Sequence, residues 1–222
     1  MSDAFAPAVE AALSKKIGHP PPFTDEELME VESVVVKNTA DLSGLTRLTA
    51  LRVLILRGYG GTNLAPLAGL PDLSSLTVEF SVISDLSVLP QLPVHTLILR
   101  CNNIEDLRPL LEIRGRDLEI DVRGNPLSEV SYREIAPALR EHGAKVEVSG
   151  EREWQLTCRL HSMGLPFGYY DSKEGFRLCR PGLEFTPYPE WDHPRIAPDE
   201  LERMLDTDPA SVHTLFERED LM

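Results

Sequence analysis

Leucines set the rhythm of this chain from about Leu45 to Leu127. They recur as L-x-x-L-x-x-L-x-L and then N-x-I-x-D-L, in LSGLTRLTALRVLIL, LAGLPDLSSLTVEF and LPQLPVHTLILRCNNIEDLRPL. Leu54, Leu76, Leu97 and Ile120 fall 22, 21 and 23 residues apart. Two more columns keep step: Leu56, Val78, Leu99 and Val122, and Leu42, Leu64, Leu86 and Leu107. A unit this short holds one strand and one turn-rich return. It cannot bury its own leucines, so units stack and share one continuous core. Within each strand, the residues between and after the L-x-L leucines point away from that core, because strand side chains alternate.

A repeat of roughly 20–29 residues with this consensus is that of a leucine-rich repeat solenoid. The expected fold is α/β, with a parallel β-sheet on the concave face and about four to five repeats. Asn102 and Asn125 occupy the asparagine position, where a side-chain amide can satisfy backbone groups of a buried turn. Tyr59 and Ser81 stand there in the earlier units, so the ladder is expected to break early. Asp85-Leu86-Ser-Val-Leu89 and Asp106-Leu107-Arg-Pro-Leu110 match a D-L-x-P-L return, and Asn63-Leu64-Ala-Pro-Leu67 nearly does. On these motifs residues 24–148 resemble the short repeat class, about 22 residues long, of internalin-like bacterial proteins and phosphatase-regulator-like proteins. The resemblance implies a binding scaffold and leaves its partner unnamed.

The flanks read as caps. Val9, Ala12, Leu13 and Ile17 predict a helix over 5–17, stopped by Gly18. Thr24 with Glu27 forms a capping box, and Ser33–Val36 reads as a first strand. That order is similar to the N-terminal cap of internalin-type solenoids, which would cover the open end of the stack. At the other end, Ser131 with Glu134 reads as the start of a helix ended by Gly143. Pro137 predicts a kink or a late start there, and Lys145–Val148 a closing strand.

The expected division is 1–44 (cap and first strand), 45–150 (repeats and C-terminal cap) and 151–222. The last part does not repeat. A helix is expected over Glu151–Met163 with Gly164 as its cap. Strands are expected over Phe167–Tyr170, Phe176–Arg180 and Leu183–Thr186, then helices from Pro198 and from Pro209. The result is a small α+β unit holding 15 acids against 8 Lys and Arg, half of the total charge of −14.

That charge weighs against nucleic acid and against anionic membranes. Three scattered cysteines make no disulfide framework and are expected as reduced thiols. The N-terminus lacks a basic region and an apolar core of a secretory signal, and no apolar run is long enough to span a bilayer. A cytoplasmic, bacterial protein is expected, and a monomer. The six histidines are dispersed, so no metal is expected; neither a P-loop nor a dinucleotide fingerprint is present, so no cofactor is.

Candidate chemistry lies on the concave face. The position after L-x-L collects Arg57, Glu79, Arg100 and Arg123, with Lys37 in the first strand. Between the leucines stand Val35, Ile55, Thr77, Ile98 and Asp121; the next column holds Gly58, Phe80, Cys101 and Gly124. Apolar and aromatic anchors beside arginines suit a protein partner. The bland alternative is an ordinary sheet surface. Tyr188 and Trp191, in a proline-rich stretch, are a possible second contact. The acidic C-terminal part could also fold over the arginines and cover them.

Two other function classes stay open. One is a small enzyme in the C-terminal part; Cys158 and His161, three residues apart on a helix, are its only nucleophile–base pair. The other is an immunity- or antitoxin-like inhibitor of a basic enzyme. The leading reading is a non-enzymatic protein-interaction module.

Overall fold

Six parallel strands run in chain order through the computed structural model, which describes residues 4–113, 117–182 and 193–217. They are β1 (Ser33–Thr39), β2 (Val53–Tyr59), β3 (Ser75–Glu79), β4 (Thr96–Ile98), β5 (Glu119–Asp121) and β6 (Lys145–Glu147). The register places Val34, Leu54, Leu76, Leu97, Ile120 and Val146 side by side. All six are buried in one core that runs the length of the stack. Burying one leucine contributes roughly 2 kcal/mol, and each of these contacts its counterpart in the next unit, so removing a repeat opens a face of its neighbour.

The return segments form short 3-10 turns at Leu45–Arg47, Ala65–Leu67, Leu89–Gln91 and Arg108–Glu112. One side chain starts each turn in the same way. Asp41, Asn63, Asp85 and Asp106 accept, through Oδ1, the backbone N–H two residues on. The motif's acid or amide is thus a turn former.

The asparagine ladder is complete at Asn125, half-made at Asn102, whose Nδ2 donates to the carbonyls of Val78 and Leu99 while its Oδ1 has no partner, and partly replaced elsewhere. Asn125 Oδ1 accepts from the N–H groups of Asn102 and Ile104, and its Nδ2 donates to the carbonyls of Leu99 and Val122. Ser81 Oγ performs a reduced version, accepting from Tyr59 N and donating to Glu79 O.

Each of the first five strands carries a left-handed residue at or just past its C-terminal end. Asn38 (φ 51), Gly58 (φ 65), Phe80 (φ 53), Cys101 (φ 51) and Gly124 (φ 73) occupy equivalent positions. Left-handed φ costs a non-glycine residue roughly 1 kcal/mol, so Phe80 and Cys101 are held there by their surroundings.

At the N-terminal end, α1 (Pro7–Ile17) lays Val9 and Leu13 against β1. The Thr24–Glu27 capping box is fully formed at the start of α2 (Asp25–Met29). The C-terminal cap differs from expectation in one detail. Ser131 does not cap the helix; Ser128 Oγ accepts from Ser131 N, while Ser131 Oγ turns inward to accept from Leu107 N. A buried turn N–H in the neighbouring repeat competes for that hydroxyl and wins. Ahead of Pro137 the backbone widens into one π turn (Ser131–Ile135) before α3 (Ala136–Glu141), because proline offers no N–H to an α-helical ladder.

α4 (Glu151–Ser162) joins the solenoid to the C-terminal unit. Trp154 belongs to the solenoid core: its ring stacks on Tyr132 at 4.0 Å and its Nε1 donates to Leu127 O at 2.7 Å. Leu156 and Leu160 enter a second core with Phe167, Tyr169, Leu178, Leu201 and Leu205. Gly164 (φ 76) ends the helix, with Leu165 N donating back to Leu160 O. An antiparallel hairpin follows, β7 (Gly168–Ser172) and β8 (Gly175–Cys179), then α5 (Pro198–Thr207). Pro209–Glu217 is a 3-10 helix, not the α-helix expected. Leu183–Thr186 lies outside the described residues.

Candidate functional site

The outward faces of β1–β6 carry three columns. Val35, Ile55, Thr77, Ile98, Asp121 and Glu147 run across the middle in direct register. Lys37, Arg57 and Glu79 begin the column beside them. Arg100 and Arg123 continue it just past the ends of β4 and β5. The middle column is apolar or hydroxylic over four strands, then becomes anionic. Val35 is the most open of its hydrophobic members, at 45% exposure.

The arginines are organised by buried acids. Asp121, 5% exposed, accepts from Arg100 Nε at 2.6 Å, and from Arg123 Nε at 3.0 Å and Nη2 at 2.6 Å. It also accepts the Arg123 backbone N–H. Glu79 stands 3.4 Å from Arg57. Arg57, Arg100 and Arg123 are 34%, 39% and 37% exposed, so each is anchored at one edge and open at the other. Among the described residues their ion pairs are all to acids of the sheet. Two guanidiniums share the one Asp121 carboxylate, and anchoring lowers the entropy lost when a further carboxylate is gripped. Glu79 and Asp121, expected as contact residues, therefore sit beneath that layer as its supports.

Burial by itself raises the Asp121 pKa, but the hydrogen bonds and charges of Arg123 and Arg100 outweigh it and hold the carboxyl below its ordinary 3.8. A depressed folded pKa gives stability that is present above 3.8 and lost as pH falls through the folded value. Asp121→Asn is expected to cost about 2 kcal/mol at pH 7, less than for a fully buried pair because both arginines reach solvent. The deficit should shrink only below pH 3.8, where the wild type loses the same charge. Urea unfolding at several pH values checks this; a deficit constant down to pH 2 would rule out the carboxylate as the stabilising group.

Beyond the arginines, the left-handed column is a docking platform. The C-terminal unit meets it at Phe80, whose carbonyl accepts Gly182 N at 3.1 Å and whose ring packs edge-on to His193 at 4.9 Å. It meets it again at Gly124, where Gly168 lies so close that a Cβ would fall 2.5 Å from the Gly124 carbonyl oxygen. The described part of the unit thus abuts the arginine column without covering it. Phe80, expected on the open face, is half-buried under this contact. Behind it, buried Arg177 donates to the His193 carbonyl at 2.6 Å and pairs with Glu174, and Tyr170 Oη bonds His193 Nδ1 at 2.8 Å. Burial, aided by Arg177 and Arg180, pushes the His193 pKa down to about 3, so the ring is neutral. The sequence carried no pattern for this cluster. Tyr188 and Trp191 lie outside the described residues.

Cys158 and His161 are not arranged as nucleophile and base. Cys158 Sγ is turned to the Leu127 carbonyl at 3.5 Å, and burial raises its pKa to about 11. Burial lowers the pKa of His161, whose Nε2 has no hydrogen-bond partner. Among the described residues no three His, Cys, Asp or Glu are placed to hold a metal ion, and no helix is long and apolar enough to cross a membrane.

No protein-family model matches the chain, and no curated protein does. Among solved structures it is similar to internalin C2 of Listeria monocytogenes, with 18% identity, 69% of this chain and 80% of that one covered, and a TM-score of 0.45. It is also similar to an internalin, inlF, of the same organism, with 17% identity, 69% and 66% covered, and a TM-score of 0.29. These likenesses are partial. The repeat architecture rests on the strand register and turn chemistry described above.

Proposed function

We propose that this chain is a non-enzymatic, cytoplasmic interaction module that binds a protein partner on the concave face of its repeats. Ile55, Thr77 and Ile98 supply the apolar contact, and Arg57, Arg100 and Arg123 grip carboxylates of the partner from the adjacent column. Glu79 and Asp121 hold those arginines, and Phe80 forms the boundary with the C-terminal unit. The observation that carries this reading is the pairing of an apolar row with arginines fixed at one edge by buried acids. Buried apolar anchors and arginines dominate protein interfaces, whereas a sheet surface without a binding role has no need of half-open, pre-positioned guanidiniums.

The test is a pull-down from native lysate followed by titration of the captured protein, comparing wild type with Ile55→Glu/Ile98→Glu. The new carboxylates fall beside Arg57 and Arg100 and should leave the unfolding midpoint nearly unchanged. Affinity is expected to drop by about 30-fold or more, while Leu111→Glu, on a return segment, binds as wild type does. Equal binding by the double variant, or no specific partner at all, would sink the reading.

A further inference from the structure

Cys101 and Cys179 are 78 residues apart in sequence, on different parts of the fold, and the Cys179 thiol feels that of Cys101 in the buried contact between solenoid and C-terminal unit. The geometry around them is independent support. Gly168 is the direct cross-strand partner of Cys179 in the β7–β8 hairpin, and paired residues project to the same face. The Cβ position of Gly168 points at the Gly124 carbonyl and lies 3.7 Å from Cys101 Cα, so the same face of the hairpin turns Cys179 towards Cys101. Both cysteines are essentially inaccessible, at 1% and 0% exposure. Cys101 is moreover held at φ 51, as part of the left-handed column on which the unit docks.

We propose that Cys101 and Cys179 form a redox-sensitive pair, an oxidation site that locks the C-terminal unit onto the platform beside the arginine column. With a hydroperoxide as oxidant, one thiol becomes a sulfenic acid, breaking the O–O bond and releasing water. The second sulfur then attacks the first, the S–S bond forms, and the hydroxyl leaves as a second water. Two thiols give up two electrons and two protons in all, and the peroxide is reduced to two waters. Burial of both sulfurs, which also pushes the Cys179 pKa well up, makes the docked pair slow to react, so oxidation follows transient lifting of the unit. A disulfide across this loop removes entropy from the unfolded chain, and the unfolding midpoint should rise by roughly 8 °C.

The experiment uses the full chain carrying Cys158→Ala, which leaves only this pair. The protein is treated with hydrogen peroxide, and in parallel with glutathione disulfide, then digested without reduction and analysed by mass spectrometry. The expected result is a Cys101–Cys179 linked peptide, reversed by dithiothreitol, with the raised midpoint. Further substitution of either cysteine by serine should abolish both. Two free thiols after prolonged treatment, or oxidation to sulfinic acid without the linked peptide, would overturn the proposal. So would a link whose formation leaves the midpoint unchanged or lowered.

Discussion

Replacing Asn125 by alanine is expected to destabilise the protein by about 4 kcal/mol, among the largest effects of any single side-chain truncation here. The amide serves five backbone groups at once, two through Oδ1 (Asn102 N at 3.2 Å, Ile104 N at 3.1 Å) and three through Nδ2 (Leu99 O at 2.7 Å, Val122 O at 2.9 Å and, at the limit, Arg123 O at 3.5 Å). The residue is 1% exposed, so water does not replace it without opening the stack. Each orphaned buried group costs roughly 1–3 kcal/mol, and partial relaxation brings the sum down. Asn125→Asp should be no better: it keeps the acceptor but sets a carboxylate oxygen against the carbonyls that Nδ2 serves. Ser81→Ala is the internal comparison. That hydroxyl serves only Tyr59 N and Glu79 O, and its loss should cost about half as much. Denaturant unfolding of the three variants checks the order. A loss below about 1 kcal/mol for Asn125→Ala would mean that water fills the site.

The second large effect is at Gly168. Its replacement by valine should undock the C-terminal unit from the repeats. The new Cβ would meet the Gly124 carbonyl oxygen at 2.5 Å and the Gly124 carbonyl carbon at 3.5 Å. These are backbone atoms, so no rotamer change relieves the clash, and the hairpin has to move as a body. Overpacking of this kind costs roughly 3 kcal/mol. The specific readout is thiol accessibility: Cys101 and Cys179, inert to a thiol reagent in the wild type, should react quickly in the variant. Gly175→Ala separates strain from contact. Gly175 has φ 106 and nothing within 4 Å of its Cβ position, so alanine there should strain the hairpin turn and leave both thiols protected. If Gly168→Val kept both thiols inert at an unchanged midpoint, the hairpin would not be seated on Gly124 as described.

These two sites divide between what could and could not be read from the chain. Asn125 was legible because its role repeats: a ladder residue bonds the same backbone groups of the preceding unit at a fixed offset, so its partners are known once the period is known. The leucine columns, the parallel order of the strands, the D-L-x-P-L return segments and the Thr24–Glu27 capping box were legible for the same reason. All depend on residues that are near in sequence or one period away. The Ser131 assignment failed at the first place where this locality fails: a hydroxyl expected to cap a helix was claimed by Leu107 N, 24 residues back.

The arginine column was visible as a pattern, but its support was not. Glu79 and Asp121 look like two more surface charges in the sequence, whereas the fold sinks Asp121 between two guanidiniums. Nor did the left-handed column announce itself. Gly58, Gly124 and Asn38 are residues that take that conformation readily, but Phe80 and Cys101 are not, and they take it at the position where the neighbouring units do. By itself, then, the sequence determined the stack, its register and its outward-facing columns, because repetition turns long-range contacts into local rules. Only the tertiary structure decided where the non-repeating unit docks, which acids hold which arginines, and that Cys101 meets Cys179. Those contacts join segments with no shared period, and their free energy appears only once both surfaces are formed.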